Sequence, residues 1–181
     1  MSDIKFKLTT NSRINMFGVT LFQIEALIDI EARGVKRGEL GGWVESTHLN
    51  SGDARVYGDA WVYGDAQVYG DARVFGNAQV YGDAWVSGDA EVYGDAQVYG
   101  NAWVSGDAWV YGDAQVYGNA WVYGDARVFG NARVFGNAQV YGDAQVYGDA
   151  QVSGKFNYTK GWFIGGDDTG KITDITDKTG S

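Results

Sequence analysis

The chain has 181 residues, a formal net charge of −9, and neither cysteine nor proline. Without cysteine there is no disulfide framework and no thiolate metal site, and no apolar run approaches the ~20 residues that a membrane-spanning helix needs. The N-terminal sequence MSDIKFKLTT lacks the apolar core of a signal peptide. These features predict a cytoplasmic protein of one domain that does not contact a membrane.

The negative charge is confined to the middle of the chain. Residues 1–51 carry six basic and six acidic side chains, and residues 155–181 carry four of each. Residues 52–154 therefore hold the whole excess, twelve aspartates and Glu91 against four arginines. A surface of this sign disfavours direct nucleic-acid binding, which needs a basic groove.

Residues 1–51 are predicted to form a capping segment built of β-strands. Residues 5–10 and 20–30 are rich in strand-forming residues, and turn-forming residues separate them. A glycine-rich stretch at residues 34–45 then leads into the repeats. Because a stack of strands exposes unpaired edges at both ends, we expect this segment to cover the first edge.

Residues 52–154 repeat one six-residue unit, G-[D/N]-A-x-V-[Y/F/S], seventeen times. A fixed short period indicates a solenoid, in which each unit buries its apolar face only by stacking on its neighbours. A period of six predicts a parallel β-helix with three hexads to a coil, hence nearly six coils about 27 Å tall at the ~4.8 Å strand spacing. Valine and alanine would point inward, and glycine with aspartate or asparagine would form the corners, where positive φ is needed.

Two resemblances accompany this repeat. The hexad, with an aliphatic residue followed four positions later by a small one, resembles that of the hexapeptide acyltransferases, and this resemblance implies a left-handed β-helix. The motif GGWVES at residues 41–46, followed by hexapeptides, is similar to the YdcK-like family of bacterial and phage-encoded solenoid proteins. That resemblance covers roughly residues 17–154 and implies no particular activity. If the protein is phage-encoded, its expected location is the host cytosol.

Residues 155–181 break the period and are predicted to form a C-terminal cap. Five apolar residues there could cover the last coil: Phe156, Tyr158, Trp162, Phe163 and Ile164. A turn is expected at residues 165–170 and a returning strand at residues 171–175. The complete prediction is thus an all-β single-stranded parallel β-helix at residues 52–154 with non-repeat β caps on both sides.

Stacking three hexads to a coil sorts the variable positions into three faces. On the tryptophan face, a stripe of Trp85, Trp103 and Trp121 runs beside the small residues Ser87 and Ser105. We expect these serines to leave the indole rings room to lie flat. The other two faces carry columns of tyrosine and phenylalanine, which can be explained as cross-strand ladders that stabilise the sheet. So many outward aromatics exceed what monomers usually expose. We therefore expect a homo-oligomer, with the tryptophan face as its binding surface.

The corners form three edges, one of which carries aspartate at every coil. This acidic edge consists of Asp53, Asp71, Asp89, Asp107, Asp125 and Asp143. Aspartate at a corner can be explained by capping of its own turn. A calcium site is disfavoured because the calcium-binding β-roll repeats every nine residues with paired ligands, so no metal or cofactor is predicted.

No catalytic residues are predicted, because His48 is the only histidine and no nucleophile–base pair or metal-spaced cluster is present. Three functions remain open. The first is a structural or interaction scaffold that binds protein partners through its faces. The second is an acidic decoy that imitates nucleic acid and inhibits a host protein, and the third is carbohydrate binding on the tryptophan stripe.

Overall fold

The computed structural model describes residues 5–29, 31, 35–46, 54–154 and 157–165. Three strands precede the repeats: β1 (Phe6–Ile14), β2 (Thr20–Ala26) and β3 (Leu40–Val44). Seventeen further strands follow, and each face of the solenoid takes one strand from every coil. The protein is an all-β solenoid of about six stacked parallel coils, which confirms the predicted fold class.

The repeat strands pair only with the equivalent strands eighteen residues away, as three hexads to a coil require. The tryptophan face contains β6 (Gln67–Val68), β9 (Trp85–Val86), β12 (Trp103–Val104) and β15 (Trp121–Val122). The second face contains β5 (Trp61–Val62), β8 (Gln79–Gly82), β11 (Gln97–Gly100), β14 (Gln115–Val116), β17 (Arg133–Val134) and β19 (Gln151–Val152). The third face contains β4 (Arg55–Val56), β7 (Arg73–Val74), β10 (Glu91–Val92), β13 (Trp109–Val110) and β16 (Arg127–Val128). The long β18 (Gln139–Gly148) turns a corner and adds the last rung of the repeat to the tryptophan face and the third face.

Valine and alanine fill the interior of the prism. The repeat valines are at most 2% exposed, and the repeat alanines from Ala60 onward are at most 2% exposed. Backbone hydrogen bonds join each coil to the next: the Trp85 amide donates to the Ala102 carbonyl, and the Ser87 amide donates to the Val104 carbonyl, both at 2.9 Å. The outward residues therefore contribute little to the core and are free to vary.

The N-terminal strands extend the second face rather than forming a separate cap. β1 and β2 are antiparallel, and β2 is antiparallel to β3, which in turn runs parallel to β5 with Trp43 beside Trp61. β1 is longer than predicted, and β2 ends at Ala26, before the predicted residue 30. Ile24 joins the valine–alanine core, with Phe6 and Leu8 packed against it. This contact covers the first coil.

The C-terminal segment continues the stack, although its sequence breaks the period. β20 (Asn157–Gly165) lies parallel to β18, with one residue fewer at the corner. Phe163 takes the position above Val146, is 4% exposed and belongs to the core cluster, so it covers the last coil. The side chains of the other four predicted apolar residues lie outside the described part of the chain, and so do residues 171–175.

The tryptophan face as a candidate interaction surface

The tryptophan face presents three stacked indole rings. The rings of Trp85 and Trp103 are 4.8 Å apart at an interplanar angle of 6°, and those of Trp103 and Trp121 are 5.1 Å apart at 6°. Trp103 is 37% exposed and Trp121 is 41% exposed, whereas Trp85 is half-buried, with Tyr69 meeting its ring edge-on at 5.9 Å. The structure therefore brings the predicted stripe together as one continuous aromatic surface.

The indole rings are inclined to this surface, so the expectation that they lie flat is wrong. Two coplanar rings with centroids 4.8 Å apart would bring carbon atoms to about 2 Å, well inside the van der Waals contact distance of ~3.5 Å. Parallel rings at this spacing must overlap face to face in an offset stack. The stripe consequently presents ring edges and partial faces, not one flat platform.

Small residues lie beside the two tryptophans nearest the N-terminal end. Ser87 and Ser105 follow the strand valines of their coils, at positions where neighbouring coils carry Tyr69 and Tyr123. Serine in place of an aromatic residue leaves less side-chain volume, hence a depression, next to Trp103, and the Tyr69 ring closes part of the corresponding space next to Trp85 by meeting its ring edge-on at 5.9 Å. The surface thus alternates between bulky and small residues across these two coils.

One edge of the tryptophan face changes from acidic to neutral along the solenoid. This asparagine edge consists of Asp65, Asp83, Asn101, Asn119 and Asn137. The Asn101 amide donates to the Asn119 side-chain oxygen at 3.2 Å, and the Asn119 amide donates likewise to Asn137 at 3.2 Å. The exposed half of the tryptophan stripe is therefore flanked by a neutral ladder of amides.

The opposite edge of the tryptophan face is the acidic edge. Its members from Asp71 to Asp143 lie on successive coils, while Asp53 lies outside the described residues. Three of them, Asp89, Asp107 and Asp125, line an open groove together with Arg73, Glu91, Trp109 and Arg127 of the third face. The Arg73 guanidinium pairs with Glu91 at 3.0 Å, and Arg127 stacks on Trp109 at 4.8 Å. Positive charge thus lies directly beside the carboxylates.

The other two faces carry aromatic ladders with ring centroids 4.8–5.0 Å apart and nearly parallel planes. Several of these tyrosines have a raised pKa, mainly because their side chains are partly buried. Burial raises the pKa of Tyr63 to about 12. The close stacking supports their interpretation as stabilising ladders.

The N-terminal hairpin covers the beginning of the second face. Leu21, Trp43 and Tyr63 form a buried cluster with partly buried neighbours that include Tyr81, and the Phe17 ring lies 6.5 Å from that of Tyr81. Arg13 fastens the hairpin through an ion pair with Asp59 at 2.7 Å. Sequence reasoning placed this segment at the end of the prism and missed its contact with a face. The stripe on the tryptophan face has no such covering segment among the residues that the structure describes.

The described residues contain no group of three or more histidine, cysteine, aspartate or glutamate side chains placed to hold a metal ion. They also contain no helix long and apolar enough to cross a membrane. His48 lies outside the described residues.

The stacked coils, the inward valines and the glycine corners define a β-solenoid repeat protein. A family model described as the YdcK β-solenoid repeat matches residues 51–64, 66–82, 78–94, 96–112, 114–128 and 126–142. The chain belongs to this YdcK-like repeat family. No curated protein matches the chain.

Proposed function

We propose that the protein is a non-catalytic interaction scaffold that binds protein partners through the tryptophan face. The observation that carries this proposal is the exposed indole stack, because Trp103 and Trp121 leave 37% and 41% of their surface to solvent. Tryptophan is enriched among the residues that dominate binding energy at protein interfaces. The core of the solenoid is rigid, so the stripe would be presented without an ordering cost on binding.

The acidic decoy finds less support in the arrangement of charges. A nucleic-acid mimic would present carboxylates without compensating cations, whereas Arg73 and Arg127 share a groove with three members of the acidic edge. The Arg127 guanidinium offsets part of the charge of these three aspartates, whereas Arg73 is paired with Glu91 in the same groove. Binding that resists added salt would count against a decoy, because an ion-paired complex weakens as ionic strength rises.

Carbohydrate binding also finds less support, because the indole rings are inclined and stacked on one another. A sugar ring stacks on an accessible aromatic face, and most of each inner face here is occupied by the next tryptophan at 4.8 or 5.1 Å. Titration of a glycan panel against intrinsic tryptophan fluorescence would test this alternative. Saturable quenching by one glycan class would favour it over the scaffold.

The proposed function is tested by capture of partners from a lysate with purified variants. Trp103→Ala and Trp121→Ala together remove the exposed indoles, and Trp109→Ala is the matched control because Trp109 is a partly buried tryptophan on the third face. Circular dichroism establishes that all variants keep the β-solenoid fold. We expect the double variant to lose at least ~10-fold of the captured partner, equivalent to about 1.4 kcal/mol of binding free energy.

The control variant should retain its partners at the wild-type level. Equal capture by the wild type and the double variant would exclude the tryptophan face as the binding surface. Loss of capture by Trp109→Ala alone would move the site to the third face.

A further inference from the structure

The two serines of the tryptophan face depart from a rule that the other coils follow. In residues 54–154 the residue after each strand valine is aromatic, except for Ser87, Ser105 and the C-terminal Ser153. Ser87 and Ser105 are also the two positions where the residue before the valine is Trp and the residue after it is small. Bulky and small residues therefore flank the same valine in two adjacent coils.

The outward residues of each coil are spaced symmetrically about the valine of that coil. In the coil of Val104, Trp103 and Ser105 lie one residue before and after the valine, and Asn101 and Asp107 lie three residues before and after it. A two-fold axis that runs over the valine column, parallel to the solenoid axis, exchanges the two members of each pair. Such an axis makes the face its own partner surface.

We propose that the tryptophan face binds a second copy of this chain, with the two solenoids side by side and parallel. This inference rests on the proposed function and names the partner of that same surface. Trp103 of each copy lies over Ser105 of the other copy, and Trp85 lies over Ser87. In the next coil Trp121 faces Tyr123 with no small residue to receive it, so the interlocking contact is confined to the coils of Trp85 and Trp103. The bulky side chains of one copy thus fill the depressions of the other.

The edges of the face support the same arrangement through their charge. The two-fold axis places the neutral residues Asn101, Asn119 and Asn137 opposite the carboxylates of Asp107, Asp125 and Asp143. The amides of Asn101 and Asn119 each donate one N–H within the ladder, and each has a second N–H for a carboxylate of the other copy. Three of five coils would therefore pair an amide with an aspartate on both sides of the axis.

An antiparallel dimer about an axis across the face is disfavoured by the same residues. It would place Trp103 against Trp103 and Ser105 against Ser105, so that bulky side chains oppose each other and the two serines leave a gap between the copies. It would also align the acidic edges, with Asp89 against Asp125 and Asp107 against itself. The parallel arrangement confines like-charge contacts to the two N-terminal coils, where Asp65 meets Asp71 and Asp83 meets Asp89. Added salt should consequently strengthen the parallel dimer.

The size of the face predicts a weak dimer. Five coils at the ~4.8 Å strand spacing and a flat side about 15 Å wide give a footprint of roughly 360 Å² per copy, or about 700 Å² for the pair. Side-chain relief adds to this value, which still lies at the small end of specific interfaces. We expect a monomer–dimer equilibrium with a dissociation constant in the micromolar range.

The first test is sedimentation velocity of the full chain from about 1 to 500 µM. Ser105→Tyr fills the depression and should weaken the dimer at least ~10-fold, although it adds apolar surface. Ser153→Tyr adds the same ring on the second face and should leave the dimer unchanged. Non-specific apolar association predicts the reverse, with Ser105→Tyr equal to or tighter than the wild type, and this result would overturn the proposal.

The second test measures orientation, and it exploits the absence of cysteine from the chain. In the parallel dimer two copies of Gln67→Cys lie in the same coil within reach of a bis-maleimide linker of about 10 Å. In the antiparallel dimer Gln67 of one copy instead faces Gln139 of the other. The two Gln67 residues are then four coils, or about 19 Å, apart along the solenoid axis. Cross-linking of Gln67→Cys to itself supports the proposal. Cross-links formed only in a mixture with Gln139→Cys would contradict it.

The homodimer and the scaffold function can be refuted separately. A wild-type chain that stays monomeric at 500 µM would overturn the homodimer and leave the scaffold function intact if Trp103→Ala and Trp121→Ala still abolish capture of another protein. If the chain dimerises but the wild type and the variants capture other proteins equally well, the homodimer is supported and the scaffold function is refuted.

Discussion

The substitution Gly88→Ala tests whether the stacked glycine corners limit what the repeat can contain. Gly88 has a φ of +69°, and a Cβ added there would lie 2.9 Å from the Gly106 nitrogen and 3.0 Å from the Gly106 oxygen. Both contacts are with backbone of the next coil, which is fixed by the ladder hydrogen bonds. The new methyl group can be accommodated only if the two coils separate locally.

The expected loss of stability has two parts. An L-residue in the left-handed region costs roughly 1–2 kcal/mol, and forcing a methyl group into close-packed backbone adds about 1–3 kcal/mol, so the total is about 2–5 kcal/mol. Gly154→Ala is the matched control, because Gly154 has a φ of +83° and no atom of the described residues lies within 4 Å of the added Cβ. This variant should lose only the roughly 1–2 kcal/mol that an L-residue costs in the left-handed region.

Guanidinium unfolding followed by circular dichroism, at protein concentrations below the micromolar range, gives both values. The wild type, Gly88→Ala and Gly154→Ala should unfold with similar denaturant dependence, so that differences in midpoint report stability. Equal destabilisation of the two variants would refute the reasoning. It would mean that backbone conformation alone, and not contact between coils, requires glycine at the corner.

Three other substitutions probe the core, a ladder and the hairpin. Val104→Ala removes part of a fully buried side chain and should lower the unfolding free energy by about 1–3 kcal/mol in the same denaturation assay. Tyr63 has a pKa raised from 10.0 to about 12 in the folded protein. Its contribution to the free energy of unfolding is therefore complete below pH 10 and declines as the pH rises from 10 to 12. Tyr63→Phe should make stability less dependent on pH across that window, as measured by thermal melts. Arg13→Ala loses the ion pair with Asp59 and the stacking of the guanidinium on Trp43 at 4.0 Å, and should speed hydrogen exchange in β1 and β2 by about 5- to 30-fold, equivalent to roughly 1–2 kcal/mol. Unchanged exchange would show that the apolar cluster alone holds the hairpin.

The repeat segment could be predicted from sequence because one period determines every contact in it. A valine at each sixth position leaves no alternative register, since a slip by one residue would turn the core outward. The same period also reaches back to Val44, twelve residues before Val56. This spacing was available in the sequence and would have identified β3 as the first rung of the second face.

The hairpin contact and the inclination of the indole rings could not be read from the period. Whether Phe17 packs on the end or on a side of the prism depends on the path of residues 15–19, which no repeat constrains. The tilt of Trp85, Trp103 and Trp121 follows from the coil spacing of about 4.8 Å. This spacing exceeds the ~3.5 Å contact distance of rings stacked directly face to face, and it is too short for coplanar rings side by side. Ring geometry therefore had to be obtained from the structure.

The two serines of the tryptophan face separate selection for stability from selection for shape. A tyrosine at residues 87 and 105 would continue the column between Tyr69 and Tyr123, and each stacked pair would contribute about 0.5–1.5 kcal/mol. Serine forgoes this stabilisation in two adjacent coils, and in both coils it lies beside an outward tryptophan. Residues 83–100 and 101–118 are identical at 16 of 18 positions, so duplication of one coil accounts for the second serine. The first serine is favoured neither by folding nor by copying of the common hexad, and we attribute it to what the face binds.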